Sequence, residues 1–281
     1  MLAAMNDMTQ PSHLARGASL PIPDTQSERD QRHLAITRVG VKKLRYPLAV
    51  KVGANTLQTA AEWSLAVALP AERKGTHMSR FVAWLEDLQQ APVAPDAADL
   101  VARGTELLGR LDAEEATVEA RFPFFIRKQA PVSGVSSLLD YRGGWIVEAR
   151  AGSVSVWTEV IAPVKSLCPC SKEISDYGAH NQRSEVTLRV EQKSPTTAPI
   201  TWTELVRYAE ESASSEIWGL LKRPDEKWVT ERAYENPKFV EDLIRDVALR
   251  LEADPRIGRY EVEVENFESI HNHSAFARIV R

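Results

Sequence analysis

The feature that most constrains this chain is a switch of hydrophobic period that recurs in the same order twice. Val118, Ala120, Phe122 and Phe124 alternate with Glu119, Arg121 and Phe125. Val186, Leu188 and Val190 alternate with Glu185, Thr187, Arg189 and Glu191. Alternation puts successive side chains on opposite faces of a strand, one buried and one wet. Between such stretches the period becomes helical. Met78, Phe81, Val82, Leu85 and Leu88 form one stripe, and Leu100, Val101, Leu107, Leu108 and Leu111 form the next. Thr76 or Ser79 is placed to cap the first helix, and Pro92 and Pro95 end it. Strands over 39–52 and 57–69, joined by the Gly53-Ala54-Asn55 turn, come before these helices. Trp145 to Arg150, leading into Val154, Val156 and Val160, comes after them. In the second half, helices are expected over 202–221 and 237–251. Strands follow at Tyr260, Val262 and Val264 and over 276–280. Adjacent strands with short links pair antiparallel, and helices grouped in pairs cover one face. The expected class is α+β, with two tandem ββααββ modules. Residues 1–30 show no apolar period and read as a mobile, disordered tail, 31–165 as the first module and 166–281 as the second.

The 281 residues are 43% hydrophobic, enough for a sizeable core. A net charge of −4 gives no electrostatic grip on nucleic acid or on an acidic membrane. No apolar run is long enough to span a bilayer, and the first residues lack the basic start and apolar block of a secretory signal. A cytoplasmic protein with neither nucleic-acid nor membrane partners is expected.

Both cysteines, Cys168 and Cys170, and one of the six histidines, His180, fall in the stretch 161–184, which reads as a long irregular link. Two cysteines one residue apart make no disulfide framework. Thiolate and imidazole are ligands for zinc, iron and related ions. Pro169 stiffens the turn at Cys168, and Gly178 permits one before His180. Two buried thiols beside a surface histidine would give the same letters. A structural metal site wants four protein ligands, whereas a catalytic one wants three and an open position. A further ligand must come from elsewhere. Glu226 stands in a charged stretch that reads as a solvated turn past a helix. Glu241 and Asp242 open a helix, where acids are ordinary dipole partners. His271 and His273 would point the same way if both lie in a strand.

Four stretches together resemble the type IB GTP cyclohydrolases. They are Ser-Leu-Cys-Pro-Cys-Ser-Lys-Glu-Ile-Ser-Asp-Tyr-Gly-Ala-His-Asn-Gln-Arg-Ser at 166–184, Leu-Leu-Lys-Arg-Pro-Asp-Glu at 220–226, Thr-Glu-Arg-Ala-Tyr-Glu-Asn-Pro-Lys-Phe-Val-Glu-Asp at 230–242 and Glu-Ser-Ile-His-Asn-His at 268–273. Gly-Thr-His-Met-Ser-Arg-Phe at 75–81 fits as well. The resemblance implies a tunnelling fold, whose antiparallel sheets assemble into a barrel, and a homotetramer with active sites between subunits. It implies conversion of GTP and water to 7,8-dihydroneopterin triphosphate and formate, the first step of tetrahydrofolate biosynthesis. It also implies a divalent metal, manganese, zinc or iron, held by Cys168, His180 and Glu226. Glu241 would anchor the guanine, and His271 would transfer protons, with His273 as the weaker candidate. Cys170 matches no metal position.

The implied chemistry is sound from below. Water at neutral pH is a poor nucleophile, and a bound divalent ion lowers its pKa from about 15.7 toward about 7. Three ligands leave room for that water. A carboxylate accepts the guanine N1–H and 2-amino donors as a bidentate pair. The triphosphate needs cations, for which Arg183, Lys222 and Arg223 are the candidates. Two rival readings are a queuosine-pathway nitrile reductase of the same fold, which needs no catalytic metal, and a non-catalytic metal-binding scaffold.

Overall fold

The computed structural model describes residues 24–91, 93–194 and 198–281. Among them, eight strands form one sheet in chain order, every neighbouring pair antiparallel. The strands are β1 Ile36–Val52, β2 Asn55–Leu69, β3 Glu115–Gln129, β4 Ser136–Arg150, β5 Ser153–Leu167, β6 Asn181–Gln192, β7 Ile257–Asn266 and β8 Ala275–Val280. The helices are α1 Met78–Gln89, α2 Ala97–Leu111, α3 Pro169–Ile174, α4 Trp202–Ser212, α5 Arg223–Glu235 and α6 Val240–Ala253. The expected α+β class with helices on one face is the observed one. Each half carries strands, then helices, then strands. The expected division at 165/166 falls inside β5. Counted by elements, the halves meet at the Ala151-Gly152 turn, where Gly152 takes a positive φ of 80°.

One face of the sheet is apolar and covered. Val160, Ala162 and Val164 of β5 and Val186, Leu188 and Val190 of β6 are buried there, under Leu205 and Ala209 of α4 and Leu243, Val247 and Leu251 of α6. Phe122, Trp145 and Trp202 pack with ring centroids 5.0–5.4 Å apart at the centre of this layer. The other face is a ladder of ion pairs. Buried Glu159 of β5 lies 3.0 Å from Arg121 and 2.6 Å from Arg189, and Glu261 of β7 joins Arg189 to Arg278.

Several expectations need correction. The tail was expected to run to residue 30. Residues 1–23 lie outside the described residues, but 24–30 are held. Asp30 N–H donates to the Glu72 carbonyl at 2.9 Å, and Lys74 N–H to that of Glu28 at 3.1 Å. His77, rather than Thr76 or Ser79, is the N-cap of α1. Pro92 lies outside the described residues, and Pro95 stands beyond the end of α1, two residues before α2. The stretch 161–184 is not one irregular link: β5 runs to Leu167 and β6 starts at Asn181, so only 168–180, with the short α3, lies between the strands. The helix expected over 202–221 stops at Ser212. There the Ser212 hydroxyl bonds back to the Tyr208 carbonyl, and the following serines compete for the backbone. Ser215 pairs with Lys165 of β5, and Ser214 Oγ accepts from Leu167 N–H. The helix expected from 237 begins at Val240. Lys238 N–H is first used on the Leu167 carbonyl, and Asp242 then accepts from Phe239 N–H at 3.0 Å.

The turn after α6 is locked by Asp254. Its carboxylate accepts from Arg256 and from the Tyr208 hydroxyl at 2.9 Å, and Arg256 also reaches Glu204 of α4. The Arg256 hydrogen bonds hold the Asp254 carboxyl at about 2, below its ordinary 3.8. A folded value below the unfolded one gives stability that is present above 3.8 and lost as pH falls through about 2. The stability gap between wild type and Asp254→Asn should therefore close across that window, as urea unfolding at stepped pH will show. A gap independent of pH would contradict it.

Candidate active site

One end of the sheet collects the chemistry. The strand register brings the last residue of β5, Leu167, opposite the first of β6, Asn181. Cys168 and His180 are the next residues outward on each side. Their backbones are joined: Cys168 N–H donates to the His180 carbonyl at 3.3 Å. The short α3 begins at once, with Cys168 as its N-cap and Pro169 in its first turn, so the thiol is fixed beside the strand end. Ser171 clips the two residues together. Its hydroxyl donates to the Cys168 carbonyl and accepts from His180 N–H, each at 3.2 Å. Gly178, at φ +111°, supplies the bend that returns the chain to His180.

His180 is oriented from the β7–β8 loop. Its Nδ1 lies 3.1 Å from Ser269 Oγ. When Nδ1 carries the proton in that bond, the Nε2 lone pair is free to bind a metal. The same loop is tied to β6, as Phe267 N–H donates to the Arg183 carbonyl at 3.0 Å and Gln182 Nε2 to Glu268 at 3.2 Å. The loop also carries His271 and His273, both exposed, with ring centroids 5.1 Å apart. They lie outside the strands, contrary to the condition under which alternation would align them.

Residues 22–277 match the family model described as Type I GTP cyclohydrolase folE2. The chain belongs to this family. It is 64% identical to the GTP cyclohydrolase FolE2 of Methylibium petroleiphilum, over 95% of this chain and 98% of that one. It is 57% identical to the GTP cyclohydrolase FolE2 of Bordetella pertussis, over 92% and 96%. Solved structures that share its fold include a hyper-thermostable AgUricase mutant, with a TM-score of 0.51 and 10% identity over 88% of this chain and 93% of that one. A hyperthermostable mutant of the Bacillus sp. TB-90 urate oxidase has a TM-score of 0.50 and 10% identity over 88% and 98%. These likenesses bear on fold alone, and the fold is the tunnelling fold that the resemblance implied.

Not every expected residue of this family member meets at the strand end. Glu226 lies in the first turn of a helix, α5, where a solvated turn was expected. The helix carries no apolar stripe, so periodicity missed it. Its start is built by Pro224 in the first turn and by Asp225, which accepts from Lys222, Val132 and Ser133 N–H groups at 2.8 Å. That fastens the start of α5 to the β3–β4 turn. The other end of α5 touches the Cys168–His180 loop. Lys172 Nζ donates to the Tyr234 carbonyl at 2.6 Å and sits 4.4 Å from the centre of its ring. Eight residues separate Glu226 from Tyr234, about 12 Å of helix. Among the described residues no group of three His, Cys, Asp or Glu side chains is arranged to hold a metal ion. Lys222 and Arg223 share the far end of α5 with Glu226. Glu241, in the first turn of α6, is nearer. Lys238, three residues before it, is bonded to Leu167 next to Cys168. Arg183 is exposed on β6, and Cys170 is exposed on α3. Sequence reasoning missed Ser171 and Ser269. Each lies inside a matched motif, but only folding shows what it bonds. No helix among the described residues is long and apolar enough to cross a membrane.

Proposed function

We propose that this chain is a type IB GTP cyclohydrolase, converting GTP and water to 7,8-dihydroneopterin triphosphate and formate in tetrahydrofolate biosynthesis. The observation that carries the reading is the joined pair of Cys168 and His180, with the histidine ring already oriented, in a chain 64% identical to a named GTP cyclohydrolase FolE2. A divalent metal, manganese, zinc or iron, suits this donor pair, one thiol and one imidazole on residues whose backbones are joined at a strand end. Glu226 enters as third donor through its match to the family motif. Within one chain it stands at the opposite end of α5, and our reading assigns the complete set to a homotetramer with sites between subunits, as the family resemblance implies.

The metal, when bound, supplies a water acidic enough to attack the guanine C8 at neutral pH. The protein's own residues do the rest. Glu241 accepts N1–H and the 2-amino group of the guanine in a bidentate pair, which also rejects adenine because its edge would leave the acid unpaired. His271 moves protons during ring opening and closure, with His273 beside it in reserve. With Nδ1 donating to Ser269 Oγ, the His180 Nε2 lone pair is left to hold the metal.

The direct test is to incubate the protein with GTP and manganese, oxidise, and read pterin fluorescence, with and without a chelator. Full turnover after chelation would remove the metal from the mechanism, and no pterin with any divalent ion would remove the reading itself. Glu241→Ala should keep its metal while KM for GTP rises by roughly 10-fold or more, the scale of a lost charged hydrogen-bond pair. Normal KM in that variant would refute the guanine-anchor role.

A further inference from the structure

We propose that Lys165 and Arg183 together form the polyphosphate-binding pair of this site, gripping the triphosphate of the nucleotide on the open face of the sheet; the assignment rests on the GTP reading above. Lys165 of β5 stands directly opposite Arg183 of β6 in the strand register. Their neighbours Val164, Ser166, Gln182 and Ser184 are buried on the helix-covered side, so alternation turns Lys165 and Arg183 to the other face. Like charges directly opposite each other destabilise a sheet. Among the described residues, neither side chain has an ion-pair or hydrogen-bond partner. Other arginines of this face do have partners. Arg121, Arg142, Arg189 and Arg278 each meet a carboxylate, and Glu185, two residues along β6 from Arg183, is held by Arg142.

Lys165 is also half-buried, and burial pulls its ammonium below the ordinary lysine value. A partly desolvated cation facing a second cation is a cost to the fold, which a multiply charged anion bridging both would offset. The lysine cannot slip away from this register. Its N–H and carbonyl both bond to the Ser215 backbone, at 3.0 and 3.2 Å, and Ser215 is itself buried. The location is apt as well. Lys165 lies three residues before Cys168, and Arg183 three after His180, so the cation pair sits about 10 Å along the strands from the metal-ligand pair. The purine at one position and its triphosphate at the other are joined through the ribose. Arg, with its planar fork, and Lys, as a point charge, divide the phosphate oxygens between them.

The test compares wild type, Lys165→Met and Lys165→Arg for KM and kcat with GTP, inhibition by inorganic triphosphate, and bound metal per subunit. Lys165→Met should raise KM for GTP and the triphosphate inhibition constant together by about 10-fold or more, with kcat and metal content kept. Lys165→Arg should restore most of both. A structural role would instead lower metal content or kcat and leave triphosphate inhibition untouched. Unchanged KM and unchanged triphosphate inhibition in Lys165→Met, with wild type active, would overturn the assignment while sparing the GTP reading. If wild type makes no pterin, the GTP reading falls, and triphosphate affinity of the two proteins by calorimetry still decides the role of Lys165.

Discussion

Cys168→Ala is expected to lose both bound metal and turnover while the protein stays folded. Outer contacts around a metal site commonly cost 10- to 100-fold when removed, and loss of a ligand itself should exceed about 100-fold in kcat. The fold has little stake in the sulfur. Cys168 is only half-buried, and its two links to the loop run through the backbone, N–H to His180 and carbonyl from Lys172 and Ser171. Stability should therefore change by less than about 1 kcal/mol. Metal analysis after dialysis, kcat by pterin fluorescence and a thermal melt separate these effects. A variant that keeps metal and full turnover would sink the centre as drawn. One that unfolds would show that the thiol is a packing residue. Cys170→Ala serves as the control, expected to behave as wild type because that thiol is exposed on α3.

Lys128→Met is expected to be the most destabilising single change near the site. Lys128 projects from the end of β3 into the buried layer. Its ammonium meets Glu210 of α4 at 2.6 Å, Glu216 at 2.7 Å and the Ile217 carbonyl at 2.9 Å. The Tyr141 hydroxyl adds a 2.6 Å bond to the same Glu210 oxygen. Burial pushes the Glu210 carboxyl up even with Lys128 present. Without the lysine, a buried carboxylate loses its counter-charge, which typically costs about 3–5 kcal/mol. The sign of the pH effect follows. A carboxyl whose folded pKa lies above its unfolded value favours the fold at low pH and loses that contribution as pH rises. Lys128→Met should therefore be worst at alkaline pH and partly relieved in acid. Adding Glu210→Gln should recover much of the loss, since removing both charges is far cheaper than removing one. Urea melts at two pH values test all of this. A loss independent of pH, or no recovery in the double variant, would mean that the lysine acts through packing on Trp218, whose ring it covers at 4.7 Å.

This cluster bears on the site because it anchors the segment 213–222. That segment leaves α4, pairs with β5 at Lys165 and delivers the chain to α5. None of this was legible from letters alone. A run of serines after an amphipathic stretch reads as more helix, because Ser212 is permitted there. The competing partners, the Tyr208 carbonyl and the edge of β5, become neighbours only once the sheet exists. The missed α5 has the same cause from the other side. Its residues carry no apolar stripe, and it is fixed by Asp225 on the β3–β4 turn and by Tyr234 over the α3 loop.

By itself, the sequence determined the periods and the motifs. Alternation at 118–125 and 186–191 and helical stripes in α1, α2 and α6 fixed the α+β class, since each side chain must be either buried or wet. The stretches at 166–184, 220–226, 230–242 and 268–273 fixed the family. The tertiary structure alone decided which of those residues meet. Cys168 and His180 are twelve residues apart in the chain, yet the β5–β6 register makes them neighbours, and Ser269 reaches His180 only because β7 pairs with β6. It also set Glu226 at the far end of a helix and Lys165 face to face with Arg183. The physical reason is that periodicity is local, whereas a site is made by strand pairing and loop anchoring between residues far apart in the chain.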